Sequence, residues 1–252
     1  MMKRFIFSIF LLPLLLASPQ TKAQGIMLTP KWTAQAQFTG YYVADKLGFY
    51  KEEGIDVCVQ HPAISESSFS FMEKGRAPVV IMNLSYAFME RLAGARVVNV
   101  MQTSQENSLM LISHSPLKGE ESLRNQKIAV WNHLSQKLLD RLAEHYALKQ
   151  VEWIRFNSGV NVFLSGAADP CLVGSYNEYL QLSEYGMNVD SIYSIRLADY
   201  GYNLPEDGLY VTEEFYNQYP EVVRKLVKAS MRGWAWANEH REEALDMVME
   251  EV

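Results

Sequence analysis

Aromatic and hydrogen-bonding side chains gather where the sequence predicts that strands give way to helices. Aromatic rings offer flat faces for stacking, while hydroxyl, amide and carboxylate groups supply donors and acceptors. Such a mixture is typical of non-covalent ligand binding. The candidate binding residues are Trp32, Phe38, Tyr41, Tyr42, Asn83, Ser85, Tyr86, Ser158, Gly159, Asn161, Tyr176, Asn177, Glu178, Asp199 and Tyr200.

The candidates in the first half of the chain each have a structural alternative. Trp32 ends the first predicted strand, either as a stacking wall or as a core tryptophan. Only one of Tyr41 and Tyr42 can face a ligand, because helical neighbours point about 100° apart. Ser85 either caps its helix or belongs to a helix N terminus that offers free backbone N–H groups.

The second half repeats this arrangement. Residues 158–161 and 175–178 each open a helix after a predicted strand. Glu178 is either a charged acceptor for a ligand amino group or a solvated first-turn glutamate favoured by the helix dipole. Asp199 and Tyr200 follow the last strand of this half, within reach of a closing cleft or in a simple turn.

The elements that must position these residues alternate between strand and helix from residue 26 onward. This alternation predicts βαβ units and a mainly parallel sheet. Two series of elements, joined by extended stretches at 109–113 and 209–211, predict two α/β lobes. Predicted strands are 26–32, 55–59, 79–82, 97–101, 128–131, 153–156, 171–173 and 192–197, and predicted helices 37–47, 65–74, 85–93, 135–146, 160–164, 177–185 and 220–240.

The lobes are assigned to residues 24–110 with 207–252 and to residues 111–206. In an open α/β sheet, ligands meet the carboxyl ends of the strands. The candidate residues lie at those ends in both series. We therefore expect the binding site between the lobes.

No motif indicates an enzyme, a cofactor or a metal. The sequence contains no Gly-x-Ser-x-Gly elbow, phosphate-binding glycine loop or dinucleotide fingerprint. Its five histidines lack metal-ligand spacing. They are His61, His114, His133, His145 and His240.

Composition excludes several other classes. The 252 residues are 48% hydrophobic and 12% aromatic, which excludes intrinsic disorder. A net charge of −6 gives no reason to expect nucleic-acid binding. Cys58 and Cys171 fall in separate halves, and two free thiols or one bridge between the halves both fit the sequence.

The N terminus has the pattern of a secretory signal peptide over residues 1–23. Lys3 and Arg4 precede an apolar run at 5–16, and Ala23 is a small residue suited to cleavage. The run is shorter than the ~20 apolar residues that span a bilayer, although an uncleaved anchor is the alternative. Cleavage near Ala23 would change the net charge from −6 to −9 and leave an exported acidic protein.

Three stretches resemble the NMT1/THI5-like family of solute-binding proteins for thiamine pyrimidine precursors and related compounds. The first, at 32–57, contains Trp-Thr-Ala-Gln-Ala-Gln-Phe-Thr-Gly-Tyr-Tyr-Val-Ala. The others lie at 160–179 and 199–234, and the resemblance covers nearly all of 27–245. It implies the two-lobed type II periplasmic binding protein fold with two extended hinge crossings.

The resemblance also implies a function. The protein would be a periplasmic monomer that carries a flat heterocycle to a membrane permease and its ATPase, with Glu178 accepting from an aminopyrimidine. Riboflavin or a sulfonate is an alternative ligand. Family members run some tens of residues longer, so we expect the first lobe to be C-terminally short, or the chain to be the input domain of a membrane sensor.

The fungal branch of the family contains a pyrimidine synthase, which needs a cysteine cluster and a lysine and a histidine in one loop. The corresponding loop here, at 83–89, reads Asn-Leu-Ser-Tyr-Ala-Phe-Met. Neither residue type is present in it, and the two cysteines form no cluster. We therefore do not expect synthase chemistry.

Overall fold

The computed structural model describes residues 25–63, 66–117, 123, 126–131, 139–140, 143–144, 150–157 and 159–252. The predicted signal peptide, Ser158, His133, His145 and most of the predicted helix 135–146 lie outside these residues. No helix in the described part of the chain combines the length and apolar character needed to cross a bilayer.

The strands of the described residues form two five-stranded sheets. Their bounds are β1 Ile26–Thr29, β2 Val57–Val59, β3 Val79–Asn83, β4 Val97–Gln102, β5 Leu109–Ser113, β6 Lys127–Trp131, β7 Glu152–Phe156, β8 Cys171–Gly174, β9 Tyr193–Arg196 and β10 Asp207–Thr212. The first sheet has the order β2-β1-β3-β10-β4, and the second has the order β7-β6-β8-β5-β9. Each sheet is the centre of one lobe, which confirms the two-lobed α/β prediction.

The expectation of mainly parallel sheets holds for four of the five strands in each sheet, and the fifth strand, β10 or β5, runs against the others. Parallel pairing holds within β2-β1-β3 and β7-β6-β8. β10 runs antiparallel to both β3 and β4, and β5 runs antiparallel to both β8 and β9. The reason is that the chain crosses between the lobes twice, and each crossing delivers a strand that enters its sheet from the cleft side.

Helices pack against both faces of the first sheet. The helix bounds are α1 Thr39–Lys46, α2 Phe49–Glu52, α3 Ser68–Glu73, α4 Leu84–Leu92, α5 Asn161–Leu164, α6 Glu178–Glu184, α7 Glu213–Gln218, α8 Pro220–Glu239 and α9 Arg241–Met249. The sequence did not predict α2 or α7. Each of these two is at most six residues long, which makes its hydrophobic period hard to detect.

The long helix α8 begins with Pro220 at its first turn, where a missing N–H costs nothing. Its buried stripe includes Val223, Leu226 and Gly233, at the spacing of one helical face. This stripe packs against α1. A Cβ on Gly233 would lie 2.0 Å from the carbonyl oxygen of Gly40, so only glycine permits this approach of the two backbones.

Apolar side chains form a core on each sheet. The first lobe buries Leu28, Ile81 and Leu209 with residues of α1 and α8. The second lobe buries Ile112, Val130 and other residues of β5, β6 and β8. Each lobe thus has its own packed interior, and the site between them does not depend on a shared core.

Residues 103–108 and 197–206 connect the two sheets. The first follows β4 and leads into β5, and the second follows β9 and leads into β10. Both connect the cleft-side ends of the sheets. The predicted lobe boundaries fall close to these crossings, at 110/111 inside β5 and at 206/207 directly before β10.

Candidate functional site

Three strands of the first sheet bring polar side chains to the edge beside the crossings. Lys31 follows β1 after Pro30, Asn83 ends β3, and Asp207 begins β10 directly opposite Asn83 in the antiparallel register. The Lys31 ammonium donates to Asn83 Oδ1 at 2.6 Å and forms an ion pair with the Asp207 carboxylate. We call Lys31, Asn83 and Asp207 the first edge.

The ammonium of Lys31 remains protonated because acidic groups surround it. Burial alone would lower its pKa, but Tyr176, Asp207 and Glu206 together raise the pKa above its usual value. Tyr176 and Glu206 come from the second lobe and from the second crossing. The charge of Lys31 therefore acts across the space between the lobes.

Glu206 ties the two crossings together. Its carboxylate accepts from the backbone N–H of Ser108 at 3.1 Å and from the Ser108 hydroxyl at 2.8 Å. The Glu206 carbonyl accepts from the first N–H of α4, that of Leu84, at 2.9 Å. Part of the helix N terminus that the sequence offered to a ligand is thus used by the hinge.

The second sheet presents a buried carboxylate at its own edge. Glu178 Oε1 accepts from the indole N–H of Trp131 at 3.0 Å and from the Asn177 amide at 3.2 Å, and Oε2 accepts from the Gly174 N–H at 3.0 Å. Glu178 is 5% exposed. We call Trp131, Gly174, Asn177 and Glu178 the second edge.

The expectation that Glu178 accepts from the ligand needs correction. Its two oxygens serve donors of its own chain and fix the turn between β8 and α6. The alternative of a solvated helix-start glutamate was wrong as well, because the side chain is buried. The sequence pattern could not show that Trp131, 47 residues away, would reach it.

Tyr176 is the aromatic candidate that the second lobe exposes beside this edge. Its ring is 42% exposed in the turn that precedes α6, and Ser175 in the same turn donates to the Ser108 carbonyl of the first crossing. Burial of its hydroxyl and the nearby carboxylates raise the pKa of Tyr176 to about 12, despite the opposing effect of Lys31. The phenol is therefore a neutral group at physiological pH.

The side chains of Phe38 and Tyr42 lie in the core of the first lobe, which corrects their assignment to the site. Phe38 is 0% exposed, and its ring contacts His61. The Tyr42 hydroxyl bonds His61 Nε2 at 2.8 Å, while His61 Nδ1 bonds the Trp32 carbonyl at 2.5 Å. These residues support the backbone that carries Lys31.

Tyr41 is also buried, so neither member of the tyrosine pair lies on the surface of the cleft. Its ring meets Trp234 of α8 edge to face, with centroids 5.8 Å apart. Burial raises the pKa of its hydroxyl, which lies near Thr103 and Asp207 behind the first edge. Trp32 is half-buried and packs partly against the same core, so it keeps an accessible face.

Four further candidates lie at or near the N termini of the helices α4 and α5. Ser85 lies inside α4, and Asn83 holds the cap position without a side-chain cap bond. Tyr86 is partly exposed, and its ring meets that of Phe69 edge to face. Asn161 begins α5 and is exposed.

Gly159, Asp199 and Tyr200 occupy turns of the second lobe. Gly159 has a φ of +75°, which suits glycine, in the turn before α5. Asp199 and Tyr200 lie in a short 3₁₀ turn within the second crossing and are exposed. The hydrogen bond and the ion pair of Lys31 in the first edge involve none of these three residues.

Sequence reasoning missed Lys31, Asp207 and Glu206. A lysine after Pro30 and two acids before a strand have the pattern of solvated surface residues. One signal was available, since Lys31 lies two residues after the end of β1 and precedes Trp32. Among the residues that the structure describes, no group of three metal-ligating side chains lies together, and Cys58 and Cys171 are free thiols.

The chain matches the family model described as "NMT1/THI5 like" over residues 35–244. It is 28% identical to the riboflavin-binding protein RibY of Chloroflexus aurantiacus, covering 92% of this chain and 67% of that protein. It is 24% identical to a formylaminopyrimidine-binding protein of Halalkalibacterium halodurans, covering 98% and 79%. A pyrimidine phosphate synthase of Saccharomyces cerevisiae, THI13, is 22% identical over 79% and 62%.

Solved structures share the fold. The periplasmic aliphatic sulphonate binding protein SsuA of Escherichia coli superposes with a TM-score of 0.69 at 14% identity, covering 90% of this chain and 78% of that one. A Bordetella bronchiseptica protein also gives 0.69 at 20% identity, covering 90% and 76%. At these identities the likeness concerns the periplasmic binding protein fold alone.

Proposed function

The chain belongs to the NMT1/THI5-like family, and on this premise we propose that it is an exported solute-binding protein of an ABC importer. The observation that carries the proposal is the pair of polar edges that meet beside two chain crossings. The N–H of Ser175, the neighbour of Tyr176, donates to the Ser108 carbonyl, and the N–H of Ser108 donates to the carboxylate of Glu206, the neighbour of Asp207. A ligand between the edges would touch both lobes.

We propose a thiamine pyrimidine precursor, of the hydroxymethylpyrimidine or formylaminopyrimidine type, as the ligand. The exposed ring of Tyr176 offers a face for stacking, and Trp32 offers a second one. The Lys31 ammonium has three N–H donors. Two of them serve Asn83 and Asp207, so the third is available to a ring nitrogen or carbonyl oxygen.

Hinge closure would couple binding to transport. A ligand that contacts both edges stabilises the closed arrangement by its differential affinity for that arrangement. The crossings at 103–108 and 197–206 provide the two hinge segments. The permease and its ATPase would then receive the closed, loaded form, and export would follow cleavage near Ala23.

A thermal-shift panel tests the ligand. Hydroxymethylpyrimidine, formylaminopyrimidine, thiamine, riboflavin and an alkyl sulfonate form the panel, and a ligand at 100 times its Kd stabilises the native state by ~2.7 kcal/mol. We expect the pyrimidines to raise the Tm. Absence of any shift with both pyrimidines would refute this ligand class.

A matched pair of variants tests the site. Tyr176→Ala should weaken the affinity at least tenfold, because a stacking face is lost. Tyr185→Ala removes a ring of the same lobe that is 60% exposed and lies at the end of α6, and it should leave the affinity unchanged. Equal affinities for the two variants would remove Tyr176 from the site.

A synthase is the second candidate, because a yeast relative at 22% identity carries that name. The segment 83–89, which ends β3 and starts α4, holds neither lysine nor histidine, and this favours the binding protein. Purified protein with cofactor absorbance and formation of a pyrimidine product would establish the synthase instead.

A further inference from the structure

The exposed ring of Tyr176 is surrounded by more negative than positive charge. A Cβ built on Gly174 would lie 3.3 Å from Glu178 Oε2, 3.8 Å from the Tyr176 ring and 3.9 Å from the Ser108 hydroxyl, which donates to Glu206. Among the described residues, the charges that act on the Tyr176 hydroxyl are accordingly the ammonium of Lys31 and the carboxylates of Glu206, Asp207 and Glu178. These groups come from both edges and from the second crossing. The excess of carboxylates is therefore a property of the space between the lobes.

The positive charge of Lys31 is already compensated by its own lobe. Lys31 pairs with Asp207 and donates to Asn83, so it adds little net positive charge to the cleft. A lysine at a binding edge would otherwise suggest an anionic ligand. Here Asp207 neutralises the charge of Lys31, so the ammonium contributes to ligand binding as a hydrogen-bond donor.

The other two carboxylates have neutral partners. Glu178 accepts from the Trp131 indole, the Gly174 N–H and the Asn177 amide. Glu206 accepts from the hydroxyl and the backbone N–H of Ser108. Neutral donors stabilise a carboxylate without cancelling its charge, so two negative charges remain beside Tyr176.

We propose that the cleft selects against anions and takes an uncharged or cationic heterocycle. A phosphate ester or a sulfonate would place a like charge beside two carboxylates, where partial burial strengthens the repulsion. This inference rests on the proposed function for the location of the ligand. It narrows the ligand class further, because it admits riboflavin and excludes riboflavin phosphate and alkyl sulfonates.

The rates at which charged reagents modify a cysteine at position 176 measure the sign of the electrostatic potential there, without any ligand. Tyr176→Cys is prepared in a Cys58→Ser background, because Cys58 is exposed while Cys171 is buried. The variant reacts with two methanethiosulfonate reagents of similar size, one bearing trimethylammonium and the other sulfonate. Tyr185→Cys, at another exposed tyrosine of the same lobe, provides the reference ratio of the two rates.

We expect the ratio of cationic to anionic reagent rates to be about tenfold higher at position 176 than at 185, and to fall toward the reference at high ionic strength. Glu206→Gln should lower the ratio at 176 about threefold, whereas Glu184→Gln, at the exposed end of α6, should not change it. A ratio at 176 equal to or below the reference would overturn the proposal.

Paired ligands complete the test with the unmodified protein. Riboflavin should bind at least tenfold more tightly than riboflavin phosphate, and hydroxymethylpyrimidine more tightly than its phosphate. Tighter binding of either phosphate would overturn the proposal. If the rate ratio is high while none of these heterocycles binds, the acidic cleft stands and the ligand class under the proposed function fails.

Discussion

The two edges that meet between the lobes each bury a charged side chain, but they stabilise it by different means. Lys31 in the first edge has an ion-pair partner, Asp207, and one amide acceptor. Glu178 in the second edge has three neutral donors and no cation among the described residues. The charge of Lys31 is therefore compensated by one carboxylate, whereas the charge of Glu178 is stabilised by three separate hydrogen bonds.

This difference has a consequence for mutation. Removing the partner of a buried ion leaves an uncompensated charge, which is more costly than losing one of several hydrogen bonds. The first edge should be the more fragile of the two. Four measurements test this comparison.

Asp207→Ala should have the largest effect, because it leaves the Lys31 ammonium without its carboxylate. We expect a loss of about 3 kcal/mol in the free energy of unfolding, measured by denaturant titration. The double variant Lys31→Met with Asp207→Leu should recover most of this loss, since both charges are then absent. A single-variant loss below about 1 kcal/mol would contradict the dependence of the first edge on its ion pair.

Glu178→Gln should cost about 2 kcal/mol, because the amide NH₂ cannot accept and one of the buried donors loses its partner. The indole N–H of Trp131 reports this loss directly in an NMR spectrum. Glu184→Gln, at the exposed end of α6, is the control and should stay within about 0.5 kcal/mol of the parent. If both variants behave alike, Glu178 does not anchor the second edge.

Ser108→Ala tests the crossing between the edges. It removes the hydroxyl donor of Glu206 but keeps the backbone N–H, so we expect a loss of about 1 kcal/mol in unfolding free energy. Ser165→Ala removes an exposed hydroxyl of the second lobe and should have no measurable effect. Equal results would show that the Ser108 hydroxyl does not stabilise the hinge.

The smallest expected effect is on the pH dependence of stability, through His61, which supports the backbone beside the first edge. Burial lowers the pKa of His61, and its bond to the Trp32 carbonyl opposes this only in part. The unfolded chain thus takes up this proton first, and the stability present above the unfolded pKa of about 6.5 declines as pH falls through that value. His61→Asn should flatten the decline. Identical pH profiles for His61→Asn and the parent would refute the assignment.

Much of the fold was predictable because its elements carry clear periodicity and boundary signals. The strand Leu109–Ser113 and the helix start at Pro220 were both predicted and are confirmed. The direction of β10 was not predictable, because β10 lies about 125 residues from β3 in sequence and pairs with it only after the chain has crossed twice. Local patterns contain no information on such pairings.

The site was less predictable than the fold. An aromatic residue at a strand end has the same local pattern whether it lines a cleft or fills a core. Phe38 and Tyr42 are in the core because His61, from another loop, covers them. Lys31 was overlooked because lysine is usually solvated, and only the pairing of β10 with β3 places Asp207 beside it.

The position of β10 in the first sheet bears on the order in which the protein is made. β10 lies between β3 and β4, yet it is translated about 100 residues after β4. As the chain emerges, β10 is not yet present to pair with β3 on one side and β4 on the other. All five strands of the second sheet, in contrast, are present by residue 196. The second lobe can thus be completed first, and the first lobe closes only when residues 207–212 arrive.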